Sequence, residues 1–449
     1  MSGKRAVVLS GGGAKGGYQI GAWQALRELN FSPDIVTGTS VGSFNGALMV
    51  LDKYDEALKL WENICMEDVF TQFLENADYN DQNHDGYIKK LTIEALRKGG
   101  VDFSPLNNII KSLVDEDALR KSPIEFGLVT TKFPNKKQIE RFIDAIPQGE
   151  AIDYIIASAS AFPLVRSYKI GDTKYIDGGY SDNMPIQMAL DRGAEEVVAV
   201  NIGRMPVKKL KENCAEIHYV QNRRLFNNGQ FGTVAIFDKK LSTNNIRQGY
   251  LDTCKAFKLL DGEYYCFEKL ECYNVYAYEG FCTKKFDSIF SVLPSDNRFE
   301  RIGRQKVIEL IHSYKHNPFE SNAAALFCAE LAAEIFELDP QKIYTLQEMV
   351  DHLVFEAGAL IVEDSTSAIA SLTRELDKGL SLDLLKTVLK SWDKKLITGF
   401  CLQLLLEDKL GLSQKRRLWL VAALMPEAFC AAIFCSAALL KAKPQKINC

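Results

Sequence analysis

The chain has 449 residues, 47% hydrophobic and 25% charged, with a formal net charge of −4. That length exceeds one ordinary core and calls for two or three domains, and the composition is that of a globular protein. The acidic balance and the lack of a basic block rich in aromatics argue against a nucleic-acid partner, and an anionic membrane would have to be met by a local patch.

Arg5 to Ser10 has the pattern of a buried first strand. Its apolar run is too short for a signal segment and leads into a glycine loop, so a cytoplasmic chain is expected. The eleven cysteines are scattered without a CxxC pair, which suits reduced thiols. Gly11-Gly12-Gly13-Ala14-Lys15-Gly16-Gly17 follows, then a helix from Tyr18 to Leu29 with Ile20, Trp23, Leu26 and Leu29 on one face. Ile35-Val36-Thr37 forms a second strand, Gly38-Thr39-Ser40-Val41-Gly42 a sharp turn, and Phe44 to Leu51 another helix. Strand, loop, helix, strand, turn, helix is the start of an α/β fold with a parallel sheet.

The glycine loop admits three readings. A dinucleotide site needs an acidic residue at the end of the second strand, but Asp34 precedes that strand. A P-loop needs a lysine where Gly17 stands. The third reading fits best: free backbone N–H groups of Gly11, Gly12 and Gly13 at a helix start, aimed at a developing oxyanion. Lys15 either adds charge there or faces solvent.

G-x-S-x-G between a strand and a helix is a nucleophile elbow. Gly38 and Gly42 let strand and helix close on each other, leaving the Ser40 hydroxyl standing clear. The bland alternative is a glycine-bounded turn with an incidental serine.

Further along, Tyr54 to Ile64 and Leu106 to Val114 are expected to be helical, and Ile124 to Thr130 and Lys137 to Phe142 to be strands. The polar stretch from Glu75 to Lys90 contains Asp81, Asn83 and Asp85 at calcium-loop spacing. Its twelfth position is Thr92 rather than a bidentate glutamate, which favours an ordinary polar loop over a metal site. Ile152 to Ala161 is a helix of small residues, suited to close packing. Lys174-Tyr175-Ile176 leads into Asp177-Gly178-Gly179, placing Asp177 at a strand end, where α/β sites gather. Pro185 can open a helix, and Glu196 to Asn201 is another buried strand.

The ordered set Gly11 to Gly16, Gly38 to Gly42 and Asp177 to Gly179 resembles the patatin-like phospholipase family. So does Ala157-Ser158-Ala159-Ser160-Ala161-Phe162-Pro163. The resemblance covers about Lys4 to Gly203 and continues less distinctly through Asn245 to Thr253. It implies a three-layer α/β/α domain with a mainly parallel sheet. It also implies a Ser40–Asp177 dyad cleaving phospholipids, lysophospholipids or acylglycerols, with Lys15, Gly16, Gly38, Gly42, Gly178 and Gly179 as supporting motif residues. No cofactor is implied; the partner is a lipid ester, with peripheral contact at a membrane surface.

A Ser-His-Asp triad is the competing arrangement, but His84, His218, His312, His316 and His352 stand in no motif. The competing function is a catalytically silent scaffold on the same fold, recruiting a partner through its C-terminal part. The extent of the resemblance implies spans of 1–210 for the catalytic part and 211–295 for an extension with a flexible cover at Val207 to Ser242, and helical spacing marks 296–449 as a helical accessory part. Within the last span the spacing predicts helices at Arg304 to Tyr314, Ala323 to Phe336, Leu346 to Val362, Leu382 to Trp392 and Ile397 to Leu405. Leu418 to Leu440 is almost wholly apolar but broken by Pro426-Glu427, which predicts two buried helices rather than a membrane span.

Overall fold

A computed structural model describes residues 3–71, 93, 95, 97, 99–203, 207–221, 235–290, 297–314, 323–362, 393–407 and 409–442. They divide into two compact units, Met1–Lys258 and Leu259–Cys449.

The first unit is built on an eight-stranded sheet: β1 (Lys4–Leu9), β2 (Ile35–Thr39), β3 (Glu125–Phe133), β4 (Lys137–Phe142), β5 (Tyr168–Ile170), β6 (Thr173–Asp177), β7 (Ala194–Asn201) and β8 (Glu216–Gln221). β3, β2, β1, β7 and β8 run parallel in that order, and β4, β5 and β6 form an antiparallel margin. Helices α1 (Gly17–Glu28), α2 (Val41–Val50), α3 (Tyr54–Asn63), α4 (Ser104–Leu113), α5 (Glu116–Lys121), α6 (Ala151–Ser158), α7 (Ile186–Asp191) and α8 (Lys239–Ala256) surround it.

The three layers follow from strand alternation. Val7 and Leu9 of β1 join a core with Tyr18, Trp23, Phe44 and Leu48, from α1 and α2. Ala6 and Val8 point the other way, into a smaller core with Ile186 and Ala189 of α7. Burial on both faces is what a parallel sheet requires, and it explains the unbroken apolar runs of β1 and β7.

α1 and α8 lie very close. A Cβ at Gly21 would fall 1.7 Å from the Ile246 carbonyl oxygen, and one at Gly249 would fall 1.9 Å from that of Tyr18. The buried Tyr18 hydroxyl donates to Asp252 at 2.7 Å across the same interface.

β8 departs from the sequence expectation. It lies within the stretch 207–242 read above as loop or cover, yet pairs in parallel with β7 from Glu196↔Glu216 to Asn201↔Gln221. Its residues Glu216-Ile217-His218-Tyr219-Val220-Gln221 are mostly polar because β8 is an edge strand with only Val220 fully buried. α5 also went unread, being only six residues long.

The second unit contains α9 (Cys272–Ile289), α10 (Arg298–Ser313), α11 (Ala323–Ile335), α12 (Leu346–Val362), α13 (Lys394–Leu405), α14 (Leu412–Leu424) and α15 (Pro426–Ala442). It also contains a two-residue parallel pair, β9 (Cys266–Phe267) with β10 (Ile343–Tyr344). The predicted helix from Leu382 to Trp392 lies outside the described residues.

α15 is buried all round, from Ala428 to Ala438, as expected for a helix apolar on every face. The break at Pro426 falls where the sequence puts it, with proline at the first helical position. Among the described residues no helix is long and apolar enough to cross a membrane.

Candidate active site

The register of β3 brings the site together. β4 occupies one edge of β3 from Gly127 to Lys132. β2 pairs with residues 125–129 and β6 with residues 130–133, so both must use the opposite edge. β2 runs parallel to β3 and ends with Thr39 beside Val129; β6 runs antiparallel and ends with Asp177 beside Thr130. The carboxyl ends of the two strands therefore meet at adjacent positions of a third. Ser40 follows one end and Asp177 closes the other.

Ser40 caps α2 with φ 56° and ψ −129°, in the left-handed region that is costly for a residue with a side chain. The turn closes only because its flanks are glycines. A Cβ at Gly38 would sit 2.2 Å from the Gly42 carbonyl oxygen, and one at Gly42 would sit 2.2 Å from that of Leu9. The Ser40 N–H donates to Ser158 Oγ at 2.9 Å, and Ser43 Oγ donates to the Ser40 carbonyl at 2.7 Å. Thr39 Oγ1 donates to the Asp182 carbonyl at 2.9 Å, tying the elbow strand to the segment after Asp177.

Ser40 and Asp177 are 8% and 7% exposed. The Asp177 carboxylate accepts the Gly179 N–H at 2.7 Å and has the Ser40 hydroxyl as its neighbour. Burial pushes the carboxyl up to about 6, and these two groups pull the other way. The dominant effect is desolvation, which disfavours the charged form.

Both side chains line a cavity of about 390 Å³. Gly11, Gly12, Gly13, Lys15, Gly179 and Asn183 also contribute to it, and much of the remaining lining is apolar, including Phe44, Trp61, Phe70, Phe103, Leu106 and Phe237. Tyr180, half exposed, also lines it and donates its hydroxyl to the Phe162 carbonyl.

The glycine loop is held from several directions. The Gly11 N–H donates to the Asn183 carbonyl at 3.2 Å, and Asn183 Nδ2 donates to the Gly11 carbonyl at 3.1 Å. Trp61 Nε1 donates to Asn45 Oδ1, and Asn45 Nδ2 donates to the Gly16 carbonyl and to Gln19 Oε1. Gln19 Nε2 then donates to the Ser10 carbonyl at 2.7 Å.

The amide of Gly11 is thus already engaged. Those of Gly12 and Gly13, at a turn with φ 56° for Gly13, have no hydrogen-bond partner among the described residues. Lys15 is 3% exposed and lines the cavity, which settles its direction away from solvent. Gly178 carries the turn after Asp177, its carbonyl accepting the Ser181 and Asp182 amides at 2.9 Å.

Asn183 and Ser158 are the contacts that sequence reading did not single out for a role. Both stood inside segments that resembled the family, but neither residue type announces a task. Asp81, Asn83 and Asp85 lie outside the described residues, as do His84 and His316. Among the described residues no cluster of metal-ligating side chains occurs. His218, His312 and His352 do not line the cavity. His218 stacks on Phe257, with ring centroids 4.6 Å apart.

Residues 7–190 match the family model for patatin-like phospholipases, and this range contains the elbow, the glycine loop and Asp177. Over this range the chain is similar to the patatin-like phospholipase family. It is 28% identical over 201 residues to patatin-like phospholipase domain-containing protein 7 of Rattus norvegicus, covering 44% of this chain and 13% of that protein. It is 29% identical over 216 residues to lysophospholipase NTE1 of Candida glabrata, covering 45% of this chain and 11% of that one. The matched region is therefore a small part of those curated relatives. The structure of VipD from Legionella pneumophila aligns with 98% of this chain and 91% of its own, at 14% identity and a TM-score of 0.36.

Proposed function

We propose that the patatin-like unit is a serine hydrolase of lipid esters (phospholipids, lysophospholipids or acylglycerols) with Ser40 as nucleophile and Asp177 as base. One observation carries this reading. A serine hydroxyl on a left-handed strand-to-helix turn lies beside a buried carboxylate in a largely apolar cavity. Relatives named as phospholipase and lysophospholipase support the substrate class.

A carboxyl raised to about 6 is ionised at neutral pH yet takes a proton far more readily than an ordinary aspartate. Asp177 accepts the Ser40 proton as Oγ attacks the ester carbonyl carbon. The displaced electron pair moves onto the carbonyl oxygen, which the Gly12 and Gly13 amides receive; one such donor is typically worth about 3 kcal/mol. Collapse of the intermediate breaks the bond to the alcohol, which leaves with the proton from Asp177, and the acyl group stays on Ser40. Asp177 then takes a proton from water as that water attacks the acyl-enzyme. Collapse breaks the acyl bond to Oγ, Asp177 returns its proton to Oγ to restore the Ser40 hydroxyl, and the fatty acid departs.

The aromatic and aliphatic walls suit an acyl chain. A substrate drawn from a bilayer calls for peripheral contact with a membrane surface, in a cytoplasmic setting. The test is a panel of lipid esters incubated with wild type, Ser40→Ala and Asp177→Asn, with products identified by mass spectrometry. Fatty acid release by wild type alone is expected; wild-type release by Ser40→Ala overturns the assignment.

A further inference from the structure

The end of α6 grips both halves of the Ser40–Asp177 pair. Ser158 is fully buried, and its Oγ accepts the Ser40 N–H at 2.9 Å while donating to the Val129 carbonyl at 2.6 Å. Two residues on, the Ser160 carbonyl accepts the Asp177 N–H at 2.8 Å. A serine hydroxyl has one proton. With that proton committed to Val129, a lone pair is what Ser158 turns toward Ser40.

Val129 is the β3 residue opposite Thr39, and its neighbour Thr130 is opposite Asp177. Ser158 is therefore anchored at the point where the two strands end. The neighbouring Ala157 and Ala159 are also buried, so packing along this stretch is met by side chains without a hydroxyl.

We infer that Ser158 is a positioning residue. It pins the backbone of the Ser40 turn to β3 and so fixes the line from Ser40 Oγ to Asp177. The inference rests on the nucleophile and base assignment proposed above. In a turn of this shape the backbone of the nucleophile sets the direction of its Cα–Cβ bond. A small rotation there moves Oγ off the carboxylate without disturbing the cavity that binds the acyl group.

Ser158→Ala and Ser158→Cys test it in the full chain, with a soluble nitrophenyl ester as substrate and a fluorophosphonate as active-site titrant. Ser158→Ala is expected to lower kcat by about 10²-fold, as sub-ångström to ångström misplacement does, while KM stays within about twofold. The fraction of molecules that finally react with the titrant stays at the wild-type level. Ser158→Cys, which retains a weak donor and acceptor, recovers part of the loss.

A wild-type kcat in Ser158→Ala overturns the inference. So does a loss accounted for wholly by molecules that no longer take up titrant, since that is a folding defect. If Ser158→Ala does not fold, Ser158→Cys is judged alone by the same two measures. Titrant uptake by Ser40→Ala is a separate control; its persistence sinks the dyad assignment itself rather than the role of Ser158.

Discussion

Each unit buries a carboxylate, and the two are surrounded differently. Glu330, wholly buried in the second unit, accepts the amides of Glu263, Tyr264 and Tyr265 at 2.8 to 3.2 Å and the Tyr314 hydroxyl at 2.7 Å. Asp177 accepts the Gly179 amide and has the Ser40 hydroxyl beside it. A carboxylate surrounded by backbone donors organises the chain around it. One with fewer donors, facing a cavity, keeps an appetite for a proton. The crowd of donors around Glu330 fits a structural anchor, and the sparser surroundings of Asp177 fit the base proposed above.

The sharpest way to break this contrast is at the site. Ser40→Ala and Asp177→Asn should each reduce ester turnover by roughly 10⁴-fold or more, read as fatty acid released per molecule of enzyme. Glu330→Ala should do the opposite kind of damage. Leaving several buried donors unpaired costs about 3–5 kcal/mol of stability, measured by denaturant unfolding, with the titrant reaction of folded molecules unchanged.

The Asp177 carboxyl also makes a prediction about pH, with a definite sign. Its folded-state pKa of about 6 lies above the ordinary value of 3.8, so the native state holds a proton that the unfolded chain has released. Stability is unaffected below the lower value and falls as pH rises between the two. The loss is complete above about 6 and amounts to about 3 kcal/mol at most. Asp177→Asn should therefore raise the unfolding midpoint at pH 8 and not at pH 4, while wild-type kcat/KM climbs through about pH 6 to a plateau. A variant equally stable at both pH values would show that burial does not burden this carboxyl.

Smaller effects sharpen the picture. Asn183→Ala removes one of two hydrogen bonds to Gly11 and should slow turnover about tenfold, measured as kcat. His218→Ala should leave turnover within about twofold of wild type, because its ring packs on Phe257 away from the cavity lining.

The glycine loop and the elbow were legible in the sequence because backbone geometry dictates their residue types. Gly38 and Gly42 have no room for a side chain, and Ser40 stands between them. The α14–α15 break was legible for a similar reason, since Pro426 cannot continue a helix beyond its first turn. The meeting of Ser40 with Asp177 was not derivable from periodicity. It depends on β2 and β6 sharing one edge of β3, and only the family resemblance suggested it.

Register and side-chain direction are long-range facts. That is also why the engagement of the Gly11 amide, the grip of Ser158 and the inward course of Lys15 became visible only in three dimensions. β8 was hidden for another reason: an edge strand with one wet face carries too few apolar residues to stand out from a polar loop.

The abutment of β2 and β6 on β3 has a consequence for how such a protein can change over time. Segments joining these strands can lengthen, shorten or acquire new sequence without altering the separation of hydroxyl and carboxylate, because that separation is measured along β3 rather than through the intervening chain. One residue inserted between Val129 and Thr130 would do what no loop insertion does: it would swing Asp177 to the opposite face of the sheet, away from Ser40.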